Sequence, residues 1–242
     1  MILKRNMSKE REQYFFDNIK IKDEDIPRAK QAIYSKGIEK HIIILEMLKP
    51  WVEKEKVLYE YIASFYRYDK RLRKVLFVFI SYLEEYYRSI ILDKYRFDWS
   101  GLDANRYLDS LLHKHKDMDK ALEKLDFSHL VNQIYKTRDV FDNVFVFPDS
   151  AHLKKNKDAL IELRNCVMHN RFLLLYRGYK ECYVSDSTLK STTLKDNIQN
   201  LISFLPENIR EKCKAEINGC AKERNNRDKT DWLIPALVII NL

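Results

Sequence analysis

Four glycines and five prolines are too few to turn a chain of 242 residues through a many-stranded fold. Leu, Lys, Glu and Ile are abundant instead, and three of these four enter helices at little cost. An all-α protein is expected. With 45% hydrophobic residues the chain can bury a real core, and its length suits one large domain or a core domain with appendages.

The formal charge of +8 draws such a protein towards polyanions, nucleic acid ahead of membrane. The four cysteines, Cys166, Cys182, Cys213 and Cys220, contain no C-x2-C pair. Nothing before them resembles a secretory leader, so neither a disulfide framework nor a zinc knuckle is expected, and the compartment is read as reducing cytoplasm. His113 and His115 flank Lys114 with no third ligand nearby, which argues against a metal site there. The most apolar run, Trp232 to Ile240, is interrupted by Pro235 and is too short to cross a bilayer as a helix. It is read as a tail docked on the core.

In chain order, Asp23-Glu-Asp25 and Pro27 supply helix-start chemistry for a segment that Gly37 ends. A helix follows to about Lys49, and Pro50 opens another that is expected to continue from Trp51 through Tyr66. From Asp69 to about Asp93 the sequence lacks Gly and Pro and is apolar over most of its circumference, the mark of a central helix. Further helices are expected from Asn105 through His113 and up to Thr137, the second capped by Asp126 or Ser128. Val140 to Phe147 reads as an apolar loop or extended piece. Asp149 and Ser150 then start a helix expected to reach about Tyr176, where Gly178 stops it. Beyond it come a loop with a possible short strand near Cys182, a helix over Asn197–Phe204, and another from Pro206 to Gly219.

The helix that begins near Ser150 carries Leu160-Ile-Glu-Leu-Arg-Asn-Cys-Val-Met-His169, which places an arginine, an asparagine and a histidine within one short span. At about 100° per residue, Asp158, Glu162, Asn165 and His169 share one stripe, and Leu160, Leu163, Val167 and Leu174 form another roughly opposite. Arg164 lies well around from His169, so one copy cannot close both side chains on one atom, whereas two facing copies could.

The spacing Arg164-Asn165, three residues, His169 resembles the R-x4-H signature of HEPN-domain ribonucleases, and Arg164 to Phe172 resembles their Abi (abortive infection) branch. Tyr68-Asp-Lys-Arg-Leu-Arg73, followed by Glu84 and Arg88, is similar to that family's Tyr/Phe-Asp-x-x-Leu-Arg segment and its later Glu-x-x-x-Arg. The resemblance spans residues of about 58 to 177. It implies a HEPN-like helical bundle as the core, over 58–205; the additional N- and C-terminal helices are read from the residues alone, as an extension over 1–57 and a helical, apolar tail over 206–242.

The same resemblance implies a metal-independent endoribonuclease without a cofactor, working as a toxin-like phage-defence protein. Arg164, Asn165 and His169 would be its catalytic residues, and Glu84, Arg88 and Glu162 would support them. Lys154, Lys155, Lys157 and Arg171 are candidate RNA contacts. The implied partners are RNA, a second copy of the chain in a homodimer, and an antagonist that is either a protein antitoxin or a regulatory RNA. The alternative function is a non-catalytic dimeric module that sequesters RNA or scaffolds a defence complex. A third class is a helical interaction protein whose contacts lie on the terminal apolar run.

Overall fold

The computed structural model describes residues 9–52, 56–138, 150–176, 178–184, 188–191 and 193–221. Among them the chain is all-α, with ten α-helices and four short strands. It divides into two compact units, the first running to Arg71 and the second from Leu72 to Cys220.

The first unit holds α1 (Lys9–Asp17), β1 (Ile19–Lys20), α2 (Ile26–Lys36), α3 (Ile38–Leu48), β2 (Val57–Leu58) and the start of α4 (Tyr59–Tyr95). A 3-10 turn at Asp23–Asp25 leads into α2, and Pro27 occupies its first turn, where a missing N–H costs nothing. Gly37 ends it at φ 92°, a conformation that a side chain would strain. α3 packs on α1 and α2, burying Phe15, Ile33, Leu45 and Leu48. The helix expected from Trp51 to Tyr66 is absent as such. Pro50 instead lies in a 3-10 turn, Lys49–Trp51, and Val57–Leu58 pair in parallel with Ile19–Lys20 before α4 begins. β-branched and aliphatic residues there answer a strand partner that sequence periodicity does not reveal.

The second unit takes α4 from Leu72 onward. Leu72, Leu76, Phe79, Ile80, Leu83, Tyr87 and Ile91 are all buried, and spacings of three and four, with the neighbours Phe79 and Ile80, keep them on one face. Phe77 and Val78 are about half exposed, at 49% and 50%, so this helix has an open face and is less central than its composition implies. α5 (Arg106–His115), α6 (Met118–Glu123) and α7 (Phe127–Lys136) are each capped by an acidic or amide side chain. Asn105 Oδ1 accepts from Tyr107 N and Leu108 N, Asp117 accepts from Lys120 N, and Asp126 accepts from His129 N.

The unit continues through α8 (Ser150–Met168), the hairpin β3 (Glu181–Val184) and β4 (Thr188–Ser191), α9 (Leu194–Phe204) and α10 (Glu207–Gly219). Thr193 and Asp196 form a reciprocal capping box at the start of α9. α8 packs on α7, α9 and β3. Three buried asparagines tie these elements together. Asn156 bonds both main-chain groups of Tyr183, at 2.8 and 2.9 Å, Asn197 donates to the Ala159 carbonyl, and Asn200 to the Asn156 carbonyl. The Val140–Phe147 segment and the Trp232–Ile240 run lie outside the described residues.

Candidate functional site

α8 buries Leu160, Leu163 and Val167 and leaves Asp158, Glu162 and Asn165 half-buried on the other side, with His169 exposed, as the two-stripe reading of the sequence requires. The helix ends earlier than expected, at Met168. Asn170 takes the left-handed conformation, φ 51°, and its N–H donates to the Val167 carbonyl while Arg171 N–H donates to that of Cys166. That pair of bonds is a Schellman closure with Asn170 in the position usually held by glycine. Gly178 therefore plays no part in the stop, and Leu174 leaves the apolar stripe for a 3-10 turn, Leu173–Leu175.

His169 is the C-cap of α8, its N–H donating to the Asn165 carbonyl at 3.1 Å. The residue after it is held from α4: Arg73 Nη1 donates to the Asn170 carbonyl at 3.0 Å and lies 3.5 Å from its Oδ1. The two sequence segments that carried the resemblance thus meet in space, 97 residues apart.

Arg164 is half-buried. Its guanidinium carbon lies 5.6 Å from the centroid of the Phe127 ring, and Nη1 donates to Asn165 Oδ1 at 3.4 Å. Its Nε is buried with no hydrogen-bond partner among the described residues. No hydrogen bond joins Arg164 to His169 within the chain, in keeping with their separation around the helix. Phe127 as the platform for Arg164, and Arg73 as the clamp on Asn170, were not singled out from the sequence. Arg73 closes the Tyr68–Arg73 segment, whose sequence carries no sign of Asn170 as its partner.

Of the residues expected to support the site, Glu162 and Arg88 bond nearby backbone groups and Glu84 pairs with Arg88. Both oxygens of Glu162 face the segment after the helix, accepting from Tyr176 Oη at 3.2 Å, Tyr179 N at 3.0 Å and Lys180 N at 3.3 Å. Arg88 pairs with Glu84 at 2.7 Å and also donates to the carbonyls of Leu122 and Leu125, so this ion pair closes the end of α6. Lys157 is a correction to the list of RNA contacts. It is buried, 7% exposed, with Nζ donating to Asn132 Oδ1 at 2.5 Å and Asp158 Oδ1 at 2.8 Å. Lys154, Lys155 and Arg171 are exposed, Lys155 lying 3.5 Å from Glu181.

All four cysteines are buried, and none forms a disulfide among the described residues. Burial raises the Cys166 thiol above its ordinary value, with Arg171 opposing, and pushes Cys182 and Cys213 up to about 12, which leaves them protonated and unreactive near neutrality. Among the described residues no group of three His, Cys, Asp or Glu is arranged to hold a metal ion, and no helix is long and apolar enough to cross a membrane. Compared with known proteins, the chain matches no family model, no curated protein and no solved structure.

Proposed function

We propose that this protein is a HEPN-type endoribonuclease of the abortive-infection kind, cleaving RNA at a site shared by two chains of a cytoplasmic homodimer. The observation that carries the reading is the exposed imidazole of His169 at the very end of α8, fixed by Arg73 on the adjoining residue. The meeting of the two motif segments at that point is what a shared site would require.

An imidazole, whose ordinary pKa is about 6.5, suits proton transfer near neutral pH. The RNA 2′-oxygen attacks the adjacent phosphorus, forming the O2′–P bond and breaking P–O5′. One His169 accepts the 2′-hydroxyl proton, and the partner chain's copy of this histidine gives a proton to the departing 5′-oxygen. The products are a 2′,3′-cyclic phosphate and a 5′-hydroxyl end, and no metal is called for. Arg164 offers a planar fork of donors to the phosphoryl oxygens as charge builds on them, and Asn165, bonded to it, sets the fork's direction. Lys154, Lys155 and Arg171 are exposed cations for the RNA backbone. Such an activity needs restraint, supplied by an antagonist protein or RNA.

Sequencing RNA ends after brief expression tests the reading. New 5′-hydroxyl ends are expected with the parental chain and are lost in His169→Ala and Arg164→Ala. If either purified variant cut RNA at the parental rate, the assigned roles would be wrong. One observation favours a second reading, a dimeric RNA-binding module without cleavage: the Arg164 guanidinium rests on Phe127 within its own chain. That module would bind RNA with strong salt dependence and leave its ends unchanged.

A further inference from the structure

A cleft of about 350 Å³ opens in the second unit between residues 99–104 and α5, lined by Trp99, Leu102, Ala104, Leu112 and a polar rim that includes Asp109, His113 and Lys116. Its size falls in the range of small-molecule sites, and an apolar floor with few polar groups is their usual make-up. The loop that forms one wall is unusually well held. Asp98 Oδ1 accepts from Ser100 N at 3.0 Å, and Trp99 O accepts from Leu102 N. The wholly buried Gln133 grips both ends of the next turn, donating to the Asp103 carbonyl at 3.0 Å and accepting from Asn105 N at 2.6 Å. Lys136 adds bonds to the Asp103 carboxylate and the Ala104 carbonyl. A loop so pinned offers a preorganised wall, which lowers the ordering cost of binding.

The rim supplies both kinds of hydrogen-bonding group. Lys116 caps α5 in the left-handed conformation, φ 49°, and is exposed. His113 Nδ1 lies 2.9 Å from the Asp109 carbonyl and 3.4 Å from the Asp109 carboxylate, and neither contact uses Nε2. Two residues before Trp99 in the chain, Phe97 is 93% exposed beneath the Arg96 guanidinium, 5.7 Å from the ring centroid, and Arg96 also pairs with Asp119 at 3.1 Å. Exposed aromatics beside cations are the means by which proteins hold unpaired bases, by stacking on the ring and attraction of the backbone.

We propose that this cleft takes an unpaired nucleobase of single-stranded RNA, with Trp99 as its stacking surface, Asp109 and His113 reading the base edge and Lys116 on the adjoining phosphate. The assignment of RNA as ligand rests on the ribonuclease reading, while the cleft itself does not. The test is a titration of tryptophan fluorescence in a His169→Ala background, with a six-nucleotide oligoribonucleotide, the same sequence as a duplex, and free mononucleotides. The oligonucleotide is expected to quench the signal, Trp99→Phe to remove that quenching, and Trp99→Ala and Lys116→Ala to weaken binding on the order of tenfold. In the cleaving enzyme the same two substitutions raise KM and spare kcat.

Unchanged oligonucleotide affinity in both alanine variants would overturn the proposal, and cleavage by the parental chain would then leave the ribonuclease reading standing alone. Equal binding of the duplex, or of mononucleotides, would also overturn it. Trp99-dependent binding by a chain that cuts nothing would support the cleft and sink the nuclease.

Discussion

Arg73 of α4 holds the main-chain carbonyl of Asn170, the residue that follows His169, at 3.0 Å. A helix C-cap is ordinarily free to fray. Here a cation from a segment 97 residues away fixes the turn from which the imidazole projects. On the proposed ribonuclease reading, Arg73 is a positioning residue, acting through Asn170. Arg73→Ala is expected to lower kcat for RNA cleavage on the order of tenfold with little change in KM, because a misplaced group costs rate even when binding survives. Arg73→Lys, which retains a donor, should recover part of the loss. A variant with parental kcat would show that the turn holds without it.

Asn170 gives a second expectation. At φ 51° an ordinary side chain pays roughly 1 kcal/mol, while glycine and asparagine adopt this region readily. Asn170→Gly should leave urea stability within about 0.5 kcal/mol of the parent, and Asn170→Ala should cost about 1 kcal/mol. Equal stability of the two variants would remove the left-handed closure as the reason for asparagine here.

The difference between the expected and the observed helix end follows from the same residue. Leu174 continues the apolar spacing of Leu160, Leu163 and Val167, so periodicity alone carries the helix onward past His169. Asparagine at a stop is a weaker sign than glycine, and Gly178 drew the boundary to itself. The cap at Asp126 is easier to read, since it is a short polar side chain just ahead of an apolar run. Contacts between distant segments were out of reach: nothing in the spelling of Arg73, Phe127 or Glu162 says that they meet Asn170, Arg164 and the backbone of Tyr179. Lys157 failed as a surface residue because its burial is set by Asn132 on another helix.

Arg88 separates structural support from catalysis. Its guanidinium bonds Glu84 and two carbonyls near the end of α6, and the side chain is 24% exposed. Removing it leaves those carbonyls and a carboxylate short of donors, at a cost of about 2 kcal/mol. Arg88→Ala should lower the urea midpoint accordingly, while the folded fraction cleaves RNA at the parental kcat. A kcat loss in fully folded Arg88→Ala would return this residue to a role in the chemistry.

His41, in the first unit, predicts an acid sensitivity. The ring is buried beside Tyr66, 4.7 Å between centroids, and Phe15, 5.8 Å, with Nδ1 2.9 Å from the Gly37 carbonyl. Burial lowers its pKa from 6.5 to about 4, Lys36 adding to the shift and the Gly37 bond opposing it. The unfolded chain therefore takes up a proton at a pH where the folded one does not. The stability tied to neutral His41 is whole above pH 6.5 and is lost as the pH falls towards 4, by up to roughly 3 kcal/mol. His41→Phe should flatten that part of the curve when urea unfolding is followed from pH 7 to 4. An unchanged slope would place the acid sensitivity elsewhere.

The separation of Arg164 from His169 makes the strongest demand on the proposed chemistry. Within one chain the guanidinium lies on Phe127 and the imidazole stands exposed beyond the helix end, so a complete set of acid, base and phosphate clamp requires a second copy. If both histidines of a dimer are needed, adding His169→Ala chains to parental chains should poison activity more steeply than simple dilution. At equal amounts and free exchange, parental homodimers make up about a quarter of all dimers by random pairing. Cleavage should fall to that fraction of an all-parental sample at the same total concentration, and specific activity should decline on dilution below the dimer's dissociation constant. Activity of about one half in the mixture, independent of total concentration, would mean that each chain cuts alone and that a single imidazole suffices.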